Sequence, residues 1–73
     1  MAATPAAVQA ELGANGMNAQ IIRAEELISG SPDLQGWTVV GLVAGVGRTR
    51  SMTTTRSDSA ATQAAAILTA LAA

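Results

Sequence analysis

The segment Trp37-Thr-Val-Val-Gly-Leu-Val43 constrains this chain more than any other. Written as a strand, it puts Trp37, Val39, Gly41 and Val43 on one face and Thr38, Val40, Leu42 and Ala44 on the other. Neither face is polar. An antiparallel strand with one wet side alternates apolar and polar residues, so this segment is expected to be covered on both sides. Ala44-Gly45-Val46-Gly47 supplies the turn, and Arg48 to Thr55 pairs back as a second strand. There Arg48, Arg50, Met52, Thr54 and Arg56 share one parity, and Thr49, Ser51, Thr53 and Thr55 the other. A lone hairpin is marginal, and both of its strands are edges that invite another chain. Neither lysine nor proline guards them; arginine does.

A chain of 73 residues has little with which to cover two faces. Residues 1–73 are read as one domain. A domain of this size buries about 60% of its unfolded surface, and its core rarely supplies more than about 3–5 kcal/mol. Cysteine and histidine are both absent, so there is no disulfide, and a zinc site would need carboxylates alone. No metal or cofactor is expected. The hydrophobic fraction is 49% and the net charge −1, the reverse of a disordered composition. Near-zero net charge also does little to keep copies apart.

Charge is split along the chain. Glu11, Glu25, Glu26 and Asp33 outweigh Arg23 in residues 1–36, whereas Arg48, Arg50 and Arg56 outweigh Asp58 in the remainder. Every basic residue is arginine, which with abundant alanine and glycine suggests a GC-rich coding sequence. Met1 is followed by AATPAAVQAELG with no basic stretch, so no secretory leader is expected. The apolar run Trp37 to Val46 is too short for a membrane span of about 20 residues. A cytoplasmic location, or a particle assembled in the cytoplasm, is the expectation.

Three helices complete the expected fold. Thr4 caps the first, with Pro5 at its first position and Val8 and Leu12 on one face. Gly13 is suited to a left-handed stop, and Gly13-Ala-Asn-Gly16 to a turn. Met17, Ile21, Ala24 and Ile28 form an apolar stripe at helical spacing, widened by Ile22 and Leu27, with Arg23, Glu25 and Glu26 on the wet side. Asn15 or Asn18 would cap this second helix, and Gly30-Ser31-Pro32 would end it. Ser57-Asp58-Ser59 offers caps for a third, Ala60 to Leu71, whose heavy stripe is Ala64, Ile67, Leu68 and Leu71. Its other side, Thr62, Ala66, Thr69 and Ala73, is small and uncharged, which reads as a helix buried all round. The expected fold is small α+β in the order helix-helix-strand-strand-helix, with a β-hairpin packed on helices.

Catalysis finds little footing. His, Cys, Lys and Tyr are absent, so no side chain is suited to activate the plentiful Ser and Thr hydroxyls. Glu25 and Glu26 are adjacent and diverge, which precludes a carboxylate pair across one site. Gly41-Leu-Val-Ala-Gly-Val-Gly47 has the glycines of a phosphate loop, but an arginine-rich strand follows in place of Gly-Lys-[Ser/Thr] or a helix. Arg48, Arg50 and Arg56 suit docking onto carboxylates or phosphates, or simple solubilisation of a strand. Trp37, the only aromatic residue, suits a core anchor or an interface hot spot.

The stretch Arg56-Ser-Asp-Ser-Ala-Ala-Thr-Gln-Ala-Ala-Ala-Ile-Leu-Thr-Ala-Leu71 resembles the last helix of double-stranded-RNA-binding domains. In that family a serine is followed by two lysines and an alanine-rich helix. Here Asp58 and Ser59 stand where the lysines belong. The resemblance covers about one fifth of the chain, a third strand is not evident, and RNA binding does not carry over with it.

The function expected is that of a non-enzymatic structural or assembly subunit that self-associates or packs into a larger particle, such as a phage-type virion. Its partners would be other copies or a larger protein assembly, with no membrane and nucleic acid disfavoured. The candidate partner-binding residues are Trp37, Val40, Leu42, Arg48, Arg50 and Arg56. The alternative is a small nucleic-acid-binding regulator using the Arg48/Arg50/Arg56 strand. An adaptor for a single protein partner is a third reading.

Overall fold

A computed structural model describes residues 4–13, 17–27 and 33–73. The chain runs through α1 (Pro5–Leu12), β1 (Gln20–Leu27), β2 (Leu34–Val43), β3 (Val46–Thr55) and α2 (Ala60–Ala72). The strands form one antiparallel sheet in the order β1-β2-β3. The protein is thus α+β, but the order is helix, three strands, helix.

The expected second helix is a strand, and a bulge explains why its sequence mimics a helix. β1 pairs Ile21 with Val39 and then, after a register shift, Arg23 with Thr38 and Ala24 with Trp37. The extra residue of a bulge restarts the alternation. Ile21 and Ala24 therefore share the side of Val39 and Trp37 at a spacing of three, which a sequence reader counts as helical. β-Branched Ile21 and Ile22 favour the strand. Asn18 is no helix cap: it has a positive φ of 50° just before β1. Asn15, Ile28 and the proposed stop at Gly30-Ser31-Pro32 lie outside the described residues, as does most of the turn at 13–16.

The third strand makes β2 central, so the expected hairpin with two edges is corrected. β2 and β3 pair in unbroken register from Leu34↔Thr55 to Val43↔Val46. Ala44 and Gly45 alone make the turn, with φ of 53° and 79°. Two consecutive positive φ values define a type I′ turn, whose twist matches that of the strands.

Both helices use the caps their sequences offer. The Ala7 amide donates to Thr4 Oγ1 at 3.1 Å, and the Thr62 amide to Ser59 Oγ at 3.2 Å. Gly13 ends α1 with φ −63° and ψ −16°, a right-handed conformation that corrects the left-handed stop expected there. Its amide donates to the Gln9 carbonyl at 3.0 Å, so the last turn closes without the left-handed residue.

The two helices lie side by side on one face of the sheet. α1 packs on β1, α2 packs on β3 and β2, and the helices pack on each other. Val8, Leu12, Val39, Ile67 and Leu71 are fully buried between the layers, with Trp37, Ala19 and Ala64 nearly so. Burial stabilises each large aliphatic side chain by about 1.5–3 kcal/mol. Gly41 lets α2 approach this closely: a Cβ there would meet Leu71 Cδ2 at 2.6 Å and the Met17 carbonyl oxygen at 3.2 Å. α2 is not buried all round. Its buried stripe is Gln63, Ala64, Ile67 and Leu71, and the Thr62, Ala66 and Thr69 side is exposed.

Candidate functional site: the open face of the sheet and its arginine strand

Parity along β2 is as the sequence implies. Trp37, Val39, Gly41 and Val43 face the helices, while Thr38, Val40 and Leu42 face away. Among the described residues no helix packs on the second face. Val40 is half-buried there, and Leu42 is 42% exposed. β3 contributes Thr49, Ser51, Thr53 and Thr55, all exposed. Thr38 Oγ1 and Ser51 Oγ lie 3.2 Å apart, a cross-strand hydroxyl pair. Glu25, Gly36, Thr38, Ser51 and Thr53 line a hollow of about 240 Å³ with Trp37 and Met52. Gly36 supplies its floor because it carries no side chain. At the rim, Arg23 Nε and Glu25 Oε1 form an exposed ion pair at 3.3 Å. Such a pair contributes about 0–1 kcal/mol.

The six candidate residues do not form one cluster. Val40 and Leu42 share the open face. Trp37 is on the opposite side, 3% exposed, and its Nε1 donates to Thr54 Oγ1 at 2.7 Å. Thr54 Oγ1 in turn donates to Gln63 Oε1 at 2.8 Å, and Gln63 Nε2 donates to the carbonyls of Arg56 and Asp58. This buried chain joins sheet, loop and α2. It satisfies the indole N–H, which would otherwise cost about 1–3 kcal/mol.

The arginines divide as well. Arg48 Nη1 donates to the main-chain oxygens of Leu71 and Ala73, at 3.0 and 2.8 Å. A cation at a helix C-terminus satisfies orphan carbonyls and complements the dipole. Arg56 Nη2 donates to the Leu34 carbonyl at 2.9 Å, and its amide to the Asp33 carbonyl at 2.6 Å. Asp33 closes the same corner by accepting from the Ser57 amide and hydroxyl at 3.2 and 2.9 Å. Arg50 is exposed, and among the described residues its side chain makes no hydrogen bond or ion pair.

Two glutamines matter that sequence reasoning passed over. Gln63 is 1% exposed within an otherwise apolar stripe. Gln9 accepts from the Ile21 amide at 2.7 Å and donates to the Ala19 carbonyl at 3.1 Å, so its side-chain amide acts as a strand neighbour for the start of β1. The available signal was a glutamine on the buried side of an alanine-rich helix, where an unpaired amide would be costly.

At the start of α2, Ser59 is the N-cap, and neither acidic nor basic residues occupy the first turn. The lysine pair of the RNA-binding resemblance has no counterpart there. Among the described residues no group of three metal-ligating side chains comes together, and no helix is long and apolar enough to cross a membrane. No protein-family model, no curated protein and no solved structure matches the chain.

Proposed function

We propose that this chain is a non-enzymatic structural subunit that works by association, with other copies or within a larger particle. The observation that carries this reading is the open sheet face, where Val40 and Leu42 lie on the central strand of a sheet whose two helices both pack on the other side. Ile22 in the β1 bulge and Val46 at the hairpin tip are exposed as well, Val46 on the side of its partner Val43. The exposed residues of α2 add a flank of alanine and threonine with no charge. Apolar side chains left uncovered on a sheet face are a mark of interaction sites. A phage-type virion assembled in the cytoplasm is a particle suited to so small and catalytically bare a subunit.

Light-scattering mass of the purified chain across a concentration series tests the proposal. The expected result is a mass above the monomer that rises with concentration. A monomer throughout the series overturns self-association. The alternative, a nucleic-acid regulator, has weaker support because Arg48 and Arg56 are committed to main-chain oxygens of their own chain. It predicts binding to DNA or RNA that falls steeply with salt.

A further inference from the structure

The two edges of the sheet are not equivalent. β1 is interrupted by a bulge, and the Arg23–Glu25 pair stands beside it. Bulges and charges are the ordinary means of blunting an edge. β3 is ten residues long and has no bulge in its pairing with β2; of its two arginines, Arg48 is tied to the end of α2 and Arg50 alone is exposed.

The backbone groups that β3 offers follow from the turn. In a two-residue type I′ hairpin the closing pair, here Val43 and Val46, is hydrogen-bonded on both sides, and bonded pairs then alternate. Residues 46, 48, 50, 52 and 54 therefore aim their N–H and C=O groups at β2. The amide of Leu42 donates to the Met17 carbonyl at 2.7 Å, on the side away from β3, as this alternation requires. Gly47, Thr49, Ser51, Thr53 and Thr55 aim theirs outward, the Thr55 carbonyl also accepting from the Asp58 amide at 3.1 Å, and all five residues are exposed.

We propose that β3 pairs antiparallel with β3 of a second copy, with the two-fold axis at Ser51, joining two three-stranded sheets into one of six. The proposal rests on the self-association argued above and names the surface that performs it. The register follows from the residues. Centring on Ser51 pairs all five outward residues: Ser51 with Ser51, Thr49 with Thr53 and Gly47 with Thr55 of the other copy. Centring on Arg50 would set two arginines face to face, and like charges directly opposite are destabilising. Centring on Met52 leaves Gly47 without a partner. In the chosen register Arg50 lies opposite Met52, and Arg48 opposite Thr54.

The same two-fold axis stands perpendicular to the sheet, so both helix layers share one side and both open faces the other. α2 packs on β3 whereas α1 packs on β1, so α2 is the helix next to this edge. Every exposed residue of α2 is alanine or threonine, and no charge opposes the approach of two such flanks. On the other side, the Val40 and Leu42 of both copies lie on one continuous surface.

The natural absence of cysteine makes single-cysteine cross-linking unambiguous. The full-length Ser51→Cys variant is expected to form a disulfide-linked dimer under mild oxidation. Thr49→Cys and Thr53→Cys, each alone, place their thiols roughly 14 Å apart across the axis, beyond disulfide reach. Mixing those two variants restores cross-linking. Ser51→Pro removes an outward N–H, which an edge strand tolerates, together with the exposed hydroxyl pair to Thr38. It is expected to keep the wild-type circular dichroism and lose the dimer mass. If the wild-type chain associates but Ser51→Cys cross-links no faster than Thr49→Cys, or folded Ser51→Pro keeps its mass, the β3 pairing is wrong and association uses another surface. If the wild-type chain stays monomeric, this inference falls with the self-association on which it rests.

Discussion

One face of the sheet is covered by two helices and the other by none, although β2 is apolar toward both. On the covered face Val39 is fully buried and Trp37 nearly so, and Trp37, Thr54 and Gln63 are joined by hydrogen bonds. On the open face Leu42 is 42% exposed, and its neighbours on β3 are hydroxyl-bearing. The covered face accounts for folding of a single copy. The open face is the part that the proposed association uses. Threonine and serine serve this division, because they favour a strand while tolerating either water or a partner chain.

The sharpest way to break this contrast is to cut into the covered side. Ile67→Ala should cost about 2–5 kcal/mol through lost burial and a residual cavity. A core of this size rarely supplies more than about 3–5 kcal/mol in all, so the variant should show no cooperative unfolding transition by circular dichroism. A small loss there would mean that the helices are not the main support of the sheet.

Thr54→Val tests the buried polar chain. It keeps the shape but strands the Trp37 N–H and one oxygen of Gln63, for an expected loss of about 1–3 kcal/mol in urea titration. An unchanged midpoint would show that Trp37 is held by packing alone. Arg48→Ala removes two donors from the end of α2 and should cost about 0.5–1.5 kcal/mol, partly recoverable with lysine, which keeps the charge. If Arg48→Ala instead leaves stability intact and abolishes association, the residue belongs to an interface after all.

The smallest expected change in folding sharpens the contrast most. Leu42→Thr on the open face should shift monomer stability by no more than about 0.5 kcal/mol. Association through this face, beyond the β3-paired dimer, should weaken, read as a lower light-scattering mass at the same concentration. A loss as large as that of Ile67→Ala would mean that a single copy covers its own second face.

Much of this was legible along the chain. Thr4 and Ser59 mark the two helix starts because each offers a hydroxyl to an orphan amide. Gly45, Arg48 to Thr55 and the parity of Trp37 to Val43 identify the hairpin and sort its faces. β1 was hidden because a bulge turns a period of two into a spacing of three, which periodicity alone reads as helix. The arginines were misleading for a similar reason. Sequence shows that Arg48, Arg50 and Arg56 alternate with hydroxyls, but not that carbonyls of Leu71, Ala73 and Leu34 lie within reach of two of them.

By itself the sequence determined that this chain is α+β, that its strongest strand is apolar toward both sides, and that it brings almost no side chains able to do acid–base or metal chemistry. Those are properties of residue types and short-range spacing. Only the tertiary structure decided that β2 is central, that both helices gather on the Trp37 face, and that β3 is left as an edge without a bulge. Those depend on contacts between distant segments, such as Gln9 with β1 and Leu71 over Gly41. Such contacts form only once the chain has closed on itself, and no local period records them.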